Sequence, residues 1–370
     1  MPVRKIHQPW GPRKEAADGL GAMEPPFMLE PLAPFGARVH GIDLRSRPDD
    51  IVRAQLQREA ASHGFLVFPN QSLPRDSLAH ASTSLFGRAL AERHTVHPAA
   101  VHDGILRLSN DEQHGIVGVG PQWHSDGAFE RRPFSHVLFH ALRMPSDGGA
   151  GTELADLAAA FAALPLRIQA DWSRLAIANA YSGAVHPLVS AHPVSGKPSI
   201  FAHLGMVGAV IRWPRELPAT CRNRQWGPEA MEAMKPSAGP SAHCGHEVLS
   251  ATETRSLMRS ISSLLTRFST AWRYSARGDG EDAPADVLLV DNLAVAHRAE
   301  PAAHAEEGEL RILHRTTVAG SHPLDPPAAS GLPPFAYVWG DNPIPGSGLW
   351  TGSDYYGVGY RWNSSLPMRN

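Results

Sequence analysis

The chain has 370 residues, of which 42% are hydrophobic and 19% charged, and its formal net charge at pH 7 is −2. This composition is typical of a globular protein and does not favour binding to nucleic acid or to a charged membrane surface. No apolar run approaches the roughly 20 residues that a membrane-spanning helix needs. The N-terminus has no apolar segment of the secretory-signal type, and Cys221 and Cys244 are too few for a disulfide framework, so we expect a cytoplasmic protein.

The first part of the chain alternates between predicted strands and helices. Residues 1–26 are polar and interrupted by Pro and Gly, which is typical of an N-terminal arm. The segment "ARVHGIDL" (37–44) alternates as a half-buried strand does, and "DDIVRAQLQREAASHG" (49–64) predicts a helix that ends at its glycine. "FLVFP" (65–69) predicts a buried strand stopped by its proline, and "PRDSLAHASTSLFG" (74–87) predicts a second helix.

The middle of the chain contains several short apolar runs. "ILRLS" (105–109), "HVLFHAL" (136–142) and "SIFAHL" (199–204) each predict a strand, and "DLAAAFAALP" (156–165) predicts a helix stopped by its proline. A long irregular stretch, which we interpret as an insertion or lid, covers about residues 205–250.

The last part of the chain supplies a further helix and two strands. "SATE" (250–253) has the Ser-x-x-Glu form of a capping box, and the apolar residues that follow it have helical spacing. "DVLLVDN" (286–292) and "LRILHRTTVAG" (310–320) predict strands, and residues 321–370 form a turn-rich extension. Many short strands with helices at their sides predict an antiparallel β-sandwich decorated by helices.

One short motif, "PQWHSDG" (121–127), carries chemistry. Residues two apart on a strand point to the same face, so His124 and Asp126 can converge on one point. A histidine and a carboxylate are two members of the facial triad that binds non-haem Fe(II) and leaves coordination positions open. The triad needs a third ligand, which should be a distant histidine on a neighbouring strand. The alternative interpretation is a surface histidine and aspartate beside a turn.

A second segment supplies candidates for the missing groups. "VLLVDNLAVAH" (287–297) places His297 just past an apolar strand, and "RILHR" places Arg311 and Arg315 on one side of the next strand. A guanidinium can make two parallel hydrogen bonds to a carboxylate. A metal site beside such an arginine predicts a dicarboxylate cosubstrate.

These two regions carry a resemblance to a known family. Residues 121–165 and 290–320 resemble the two metal-binding segments of the taurine dioxygenase-like (TauD/TfdA) family of iron(II)/2-oxoglutarate oxygenases. The opening segments "FGARVHGIDL", "HGFLVFPNQSL" and "LFGRAL" are also similar to that family, so the resemblance covers roughly residues 30–320, with a gap near 205–250. It implies a mainly β domain over residues 27–320 with flanking helices and a double-stranded β-helix (jelly-roll, cupin-like) core. The extension 321–370 is expected to pack on the same domain.

The resemblance also implies a metal centre and cosubstrates. His124, Asp126 and His297 would bind Fe(II), and 2-oxoglutarate and O2 would be the cosubstrates. A carboxylate at position 126 implies hydroxylation, because related halogenases have a small residue there. The expected reaction hydroxylates an unactivated C–H bond of a small anionic or amino-acid-like molecule and releases succinate and CO2.

The resemblance also implies roles for three further residues in binding the cosubstrate. Arg311 would pair with the distal carboxylate of 2-oxoglutarate, and Thr152 would donate its hydroxyl to that carboxylate. Arg315 would contact the 1-carboxylate or an anionic substrate, although a surface salt bridge is its alternative. Thr152 follows Gly148-Gly149-Ala150-Gly151, one residue more than the family's usual Gly-Gly-Asp-Thr, and its alternative role is to cap the helix that begins near Asp156.

Four positions supply candidate substrate contacts. His97, Asn110 and Arg131 are candidates together with Arg315, while Asn110 and Asn292 are also candidates to hold metal-ligating groups by hydrogen bonds. Alternatives in the same chemistry are desaturation or cyclisation of a natural-product intermediate. Alternatives of another class are a non-catalytic carboxylate-binding sandwich and a zinc hydrolase. The expected partner is a small-molecule substrate, without nucleic acid or membrane, and a homo-oligomer is left open.

Overall fold

The structure, a computed structural model, describes residues 27–74, 76–87, 90, 97–146, 149–215, 247–275, 283–305, 308–330 and 337–338. The predicted N-terminal arm, both cysteines, the centre of the predicted insertion and most of the C-terminal extension lie outside these residues. Within the described parts of the chain, no helix is both long enough and apolar enough to cross a membrane.

Short strands dominate the described chain. In chain order they are β1 (Met28–Pro31), β2 (Ala37–His40), β3 (Phe65–Gln71), β4 (Leu106–Ser109), β5 (His136–Arg143), β6 (Thr152–Asp156), β7 (Leu175–Asn179), β8 (Ala184–Pro187), β9 (Val189–Ala191), β10 (Pro198–Ile200), β11 (Val207–Arg212), β12 (Glu247–Val248), β13 (Ser269–Trp272), β14 (Ala285–Asp291), β15 (Val295–Ala299), β16 (Ile312–Val318) and β17 (Tyr337–Val338). The α-helices are α1 (Asp50–His63), α2 (Ser77–Phe86), α3 (Leu157–Ala162), α4 (Leu166–Trp172) and α5 (Ala251–Arg267). Short 3₁₀ turns cover Leu204–Met206, Pro301–His304 and Ala328–Ser330.

A seven-stranded major sheet has the order β1-β2-β3-β14-β5-β16-β4. Its pairs are antiparallel except for β2 with β3, which are parallel and joined through α1. Helices α1 and α2 cover its outer face, where Leu66, Leu138 and Leu289 pack with helix residues such as Leu56 and Leu78. The outer layer is therefore helix on sheet.

The inner face of the major sheet packs against smaller antiparallel sheets. The facing three-stranded sheet has the order β13-β6-β15, and Leu154 and Val295 from it meet Phe139 and Leu288 of the major sheet in one buried cluster. A five-stranded sheet, β12-β11-β7-β8-β17, and the β9–β10 pair continue this layer. Helices α3 and α5 pack behind it. Two facing sheets of mainly antiparallel strands form the predicted jelly-roll core.

Capping residues and terminal glycines in the sequence predicted the positions of most helices correctly. Asp49 caps α1 through its side chain, which accepts from Val52 N, and the helix ends at Gly64 with a φ of +84°. Helix α5 begins with the predicted capping box of Ser250 and Glu253. Helix α3 starts one residue later than predicted, because Asp156 is its N-cap and accepts from Ala158 N and Ala159 N. Helix α4 has no counterpart in the prediction.

Two predicted strands and the start of the predicted insertion need correction. Strand β3 does not stop at Pro69 but continues to Gln71, because the missing N–H falls at an irregularity in its pairing with β14, where Asn70 has a φ of +56°. The strand predicted over 199–204 ends at Ile200 and is followed by a 3₁₀ turn. The start of the predicted insertion is instead the buried strand β11, which pairs with β7.

Candidate active site

Three buried side chains converge between the two layers. The potential metal-ligating atoms of His124, Asp126 and His297 all lie within 4.8 Å of one another. His124 Nε2 is 3.8 Å from Asp126 Oδ1, and His297 Nε2 is 3.5 Å from Asp126 Oδ2. Two imidazole nitrogens and a carboxylate in this arrangement could hold a divalent metal ion.

An isolated β-bridge in the backbone brings these distant residues together. His124 N donates to His297 O at 3.0 Å and His297 N donates to His124 O at 2.9 Å, while His124 also forms a bridge with His203. His297 lies within β15, but His124 makes only isolated bridges, so the regular strand predicted through His124 and Asp126 is wrong. Convergence of the two side chains comes from this bridge and from the turn that follows.

Asp126 is held by its neighbours on both sides. Gly127 has a φ of +75°, and a Cβ there would meet the Phe134 ring at 2.6 Å, so glycine lets the chain turn directly after the carboxylate. The Asn292 side chain accepts from Asp126 N at 2.7 Å and donates to Asp126 O at 2.8 Å. Asn292 thus fixes the backbone of Asp126, whereas its predicted role was a general hydrogen-bond partner at the metal site.

Behind the site, the segment is anchored by Trp123. Its ring is buried, its Nε1 donates to Thr266 Oγ1 at 3.1 Å, and the Arg298 guanidinium lies 4.5 Å above the ring. Trp123 therefore packs behind the segment that carries His124 and Asp126.

The electrostatics favour metal binding. Burial lowers the pKa of His124 well below its usual value, and His297 and His203 lower it further, so the imidazole is neutral. His124 Nδ1 lies 2.7 Å from Gln122 O, which leaves Nε2 as the lone-pair donor. Burial alone would raise the pKa of Asp126, but Arg315 and the two histidines outweigh it and hold that pKa well below its usual value.

The hydrogen bonding of these side chains also fits a bound metal ion. Asp126 Oδ2 and His297 Nε2 are buried and have no hydrogen-bond partner within the described chain. Buried polar atoms are costly unless they are satisfied. A metal ion between the three side chains would satisfy both atoms.

A cavity extends from the histidines to Arg311. Its empty volume, which includes space open to solvent, is about 410 Å³. Its walls include apolar residues such as Leu108, Ile116 and Phe139, with Thr152, Arg311 and Arg315 as polar members. Arg311 Nε donates to Ala150 O at 2.8 Å, and this is the only hydrogen bond of its side chain among the described residues. Burial lowers the pKa of Arg311 to about 10, although Tyr274 and Glu300 oppose the shift, so the guanidinium stays charged at neutral pH. Its terminal nitrogens suit a carboxylate.

Thr152 lies at the same end of the cavity. The extra residue before it is accommodated by Ala150, which adopts a φ of +63°, and by Gly151, whose N–H donates to Glu300 Oε2 at 2.7 Å. Thr152 opens β6 and does not cap α3, so the alternative reading as a helix cap is wrong. A Cβ at Gly151 would meet Trp272 O at 2.3 Å, which explains why this loop needs glycine.

Arg315 faces the metal site and is no surface residue. Its Nη1 donates to Asp126 Oδ1 at 3.2 Å, and only 11% of its side chain is exposed. Arg311 directly precedes β16 and Arg315 lies within it, and both line the cavity, so they lie on the same side of the chain as predicted. The surface salt-bridge alternative is wrong for Arg315.

The other predicted substrate contacts are not among the residues that line this cavity. His97 Nε2 lies 2.9 Å from Glu112 O, and its Nδ1 accepts from Ala99 N. Asn110 braces the segment before β16, because it donates to Ala305 O and Glu309 O and accepts from Arg311 N. Arg131 is exposed.

Three residues near the site were not anticipated. Tyr274 is buried, with its hydroxyl 2.8 Å from Thr152 Oγ1. Glu300 holds the loop before Thr152, and the His203 ring lies 4.9 Å from that of His124. Their positions in the sequence carry no local signal, because each residue reaches the site only through contacts between distant parts of the chain.

The chain is similar in sequence to a described family and to several known proteins. Residues 29–317 match the family described as "Taurine catabolism dioxygenase TauD, TfdA family". The (S)-phenoxypropionate/alpha-ketoglutarate-dioxygenase of Sphingobium herbicidovorans is 31% identical over 210 residues, which cover 48% of this chain and 71% of that protein. Pentalenolactone F synthase of Streptomyces avermitilis is 28% identical over 141 residues, covering 36% of this chain and 46% of that protein.

The fold has counterparts among solved structures. A taurine dioxygenase from Burkholderia xenovorans superposes with a TM-score of 0.61 at 20% identity, covering 85% of this chain and 95% of that chain. This likeness concerns the fold, and it agrees with the jelly-roll core.

Proposed function

The chain belongs to the TauD, TfdA family of 2-oxoglutarate-dependent dioxygenases, and we propose that it hydroxylates a C–H bond of a small carboxylate-bearing molecule. The observation that carries the proposal is the pairing of two features in one cavity. His124, Asp126 and His297 form a metal-ligand set, and Arg311 offers a buried carboxylate-binding edge at the other end.

Each group has a distinct task in this proposal. His124, Asp126 and His297 hold Fe(II), while Arg311 and Thr152 bind the distal carboxylate of 2-oxoglutarate. When bound, the metal and cosubstrate supply the oxidising chemistry, in which O2 oxidises 2-oxoglutarate to succinate and CO2 and the substrate C–H bond to C–OH. The protein positions these groups and keeps them in a buried pocket.

The walls of the cavity support the proposed substrate class. Its apolar residues suit the apolar part of a substrate, and Arg315 places a cation in contact with Asp126. The phenoxypropionate of the Sphingobium relative's name is a carboxylate of this kind. Arg131 is exposed and gives the proposal no support.

Neither alternative of another class accounts for all of the site. A zinc hydrolase built on the same three ligands leaves the buried charge of Arg311 without a role. A non-catalytic carboxylate-binding protein leaves the unsatisfied Asp126 Oδ2 and His297 Nε2 without one. Desaturation or cyclisation would start from the same hydrogen abstraction, and product analysis distinguishes these outcomes from hydroxylation.

The direct test is an anaerobic titration of the Fe(II)-loaded protein with 2-oxoglutarate, followed by its visible difference spectrum. We expect a charge-transfer band in the wild type and its loss in His297→Ala. His186→Ala is the matched control, since His186 is equally buried but lies outside the three ligands, and it should keep the band. Absence of the band in iron-loaded wild-type protein would overturn the proposal.

A substrate screen then follows succinate release in air. (S)-Phenoxypropionate and other small carboxylates are compared with their uncharged amides. We expect succinate release to be coupled to oxidation of the acids. Equal coupling with the amides would contradict the assignment of an anionic substrate.

A further inference from the structure

Tyr274 lies behind the cosubstrate end of the cavity and has no role in the function proposed above. It follows β13 and its side chain is buried. Its hydroxyl lies 2.8 Å from Thr152 Oγ1, which is its only hydrogen-bonding partner among the described residues. It does not line the cavity itself, whereas Thr152 and Arg311 do.

The main chain of Thr152 is fixed on both sides. Strand β6 pairs with β13 and β15, so Thr152 lies between Trp272 and Ala299. The preceding loop is held by Glu300, which accepts from Gly151 N, and by Arg311, which donates to Ala150 O. With the main chain fixed, the Thr152 hydroxyl proton can still rotate. Its direction decides whether Thr152 can donate a hydrogen bond to a ligand.

Hydrogen-bonding requirements favour one direction, with Tyr274 as the donor and Thr152 Oγ1 as the acceptor. A buried tyrosine O–H needs an acceptor, and among the described residues Thr152 Oγ1 is the one within hydrogen-bonding distance. A phenol is also the stronger donor of the two hydroxyls, because it is the more acidic. When Tyr274 donates, the Thr152 hydroxyl keeps its own proton for another acceptor.

We propose that Tyr274 is a positioning residue that orients the Thr152 hydroxyl as a donor to the distal carboxylate of 2-oxoglutarate beside Arg311. The chain Tyr274 O–H to Thr152 O–H to carboxylate polarises in one direction, which strengthens the last hydrogen bond. Without Tyr274 the threonine hydroxyl is free to turn, and its lone pairs can face the carboxylate. This inference rests on the proposed function, because it needs 2-oxoglutarate in the cavity.

The test is a set of anaerobic titrations of Fe(II)-loaded protein, followed by the charge-transfer band. Tyr274→Phe removes the hydroxyl and keeps the ring, and we expect its dissociation constant for 2-oxoglutarate to rise about three- to tenfold. Thr152→Val should raise that constant by at least as much. In the Thr152→Val background, Tyr274→Phe should have no further effect, because its route to the ligand is gone.

A second ligand separates positioning from general packing. 2-Oxobutyrate keeps the two oxygens that chelate a metal but lacks the distal carboxylate. Its dissociation constant should be the same for wild type and Tyr274→Phe. Unfolding midpoints of the iron-free proteins report any separate loss of stability.

The outcomes distinguish the two levels of the argument. Iron-loaded wild-type protein that binds no 2-oxoglutarate overturns the proposed function. Wild-type binding with an unchanged constant in Tyr274→Phe overturns only the role of Tyr274. Additive effects of the two substitutions, or equal weakening of 2-oxobutyrate binding, also overturn that role.

Discussion

Arg315 donates a hydrogen bond of 3.2 Å from Nη1 to Oδ1 of Asp126, one of the three candidate metal ligands. Both side chains are almost fully buried. The guanidinium therefore stabilises the carboxylate in the form that a metal ion needs, and it fixes which oxygen remains for the metal.

Replacement of Arg315 by Gln should weaken Fe(II) binding about tenfold, because groups that orient a metal ligand contribute on that scale. The affinity can be measured by anaerobic competition with a coloured chelator. Arg298→Gln is a matched control. Arg298 is the residue after His297, but its guanidinium packs over Trp123 and pairs with Glu153. This substitution should change the affinity less than twofold. Equal loss in both variants would show that Arg315 has no special link to the metal.

The Asn292 side chain should matter for both stability and metal binding. In Asn292→Leu the backbone N and O of Asp126 and the O of Phe134 lose their partner. Since each buried unsatisfied group costs roughly 1–3 kcal/mol, we expect the metal-free protein to lose about 3 kcal/mol of unfolding free energy and iron affinity to fall about tenfold. Urea unfolding and chelator competition measure the two quantities.

The control for Asn292 is another buried asparagine. Asn179 accepts from Tyr181 N and Ser182 N in its own turn, so Asn179→Leu should lower stability and leave iron affinity nearly unchanged. If Asn292→Leu behaves in the same way, the side chain supports the fold and does not set the position of Asp126.

Features set by neighbouring residues could be predicted from the sequence. The glycine at the end of α1 and the capping box of α5 act within one helical turn, so a short window contains the whole signal. His124 and Asp126 were identified because they stand two residues apart. Their third partner, His297, came from the wider sequence pattern and the family resemblance.

Features that depend on distant pairing could not be predicted. Thr152 and Tyr274 meet across 122 positions, and nothing near either residue marks the contact. Strand β3 passes through Pro69 because of an irregularity in its partner's register, which the proline alone does not reveal. The backbone at His124 is set by single bridges to His203 and His297 and has no periodic signal.

The capping box gives a prediction confined to stability. In Ser250→Ala the N–H of Glu253 loses its side-chain acceptor, and we expect a loss of about 1 kcal/mol in unfolding free energy. Urea unfolding measures it, and iron affinity should not change. Ser256→Ala, at an exposed position inside the same helix, should cause no loss, since alanine has the higher helix propensity. A similar loss in both variants would contradict the capping role.

His140 gives a prediction about acid stability. It is fully buried in β5 between Val287 and His314, and neither ring nitrogen has a hydrogen-bond partner among the residues that the structure describes. Burial lowers its pKa from 6.5 to about 4. The unfolded chain therefore binds a proton that the folded chain does not between these pH values, so stability falls as the pH drops through this window.

For one histidine this difference amounts to about 3 kcal/mol when the pH has fallen to the folded pKa. His140→Leu should remove that share of the acid destabilisation and be no less stable than wild type at pH 7.5, because it removes unsatisfied polar atoms. Urea unfolding at half-unit pH steps measures both effects. His322→Asn, at an exposed position, should keep the wild-type profile. Parallel stability curves for His140→Leu and wild type below pH 6.5 would mean that water or a rearranged partner solvates the His140 ring in the folded protein.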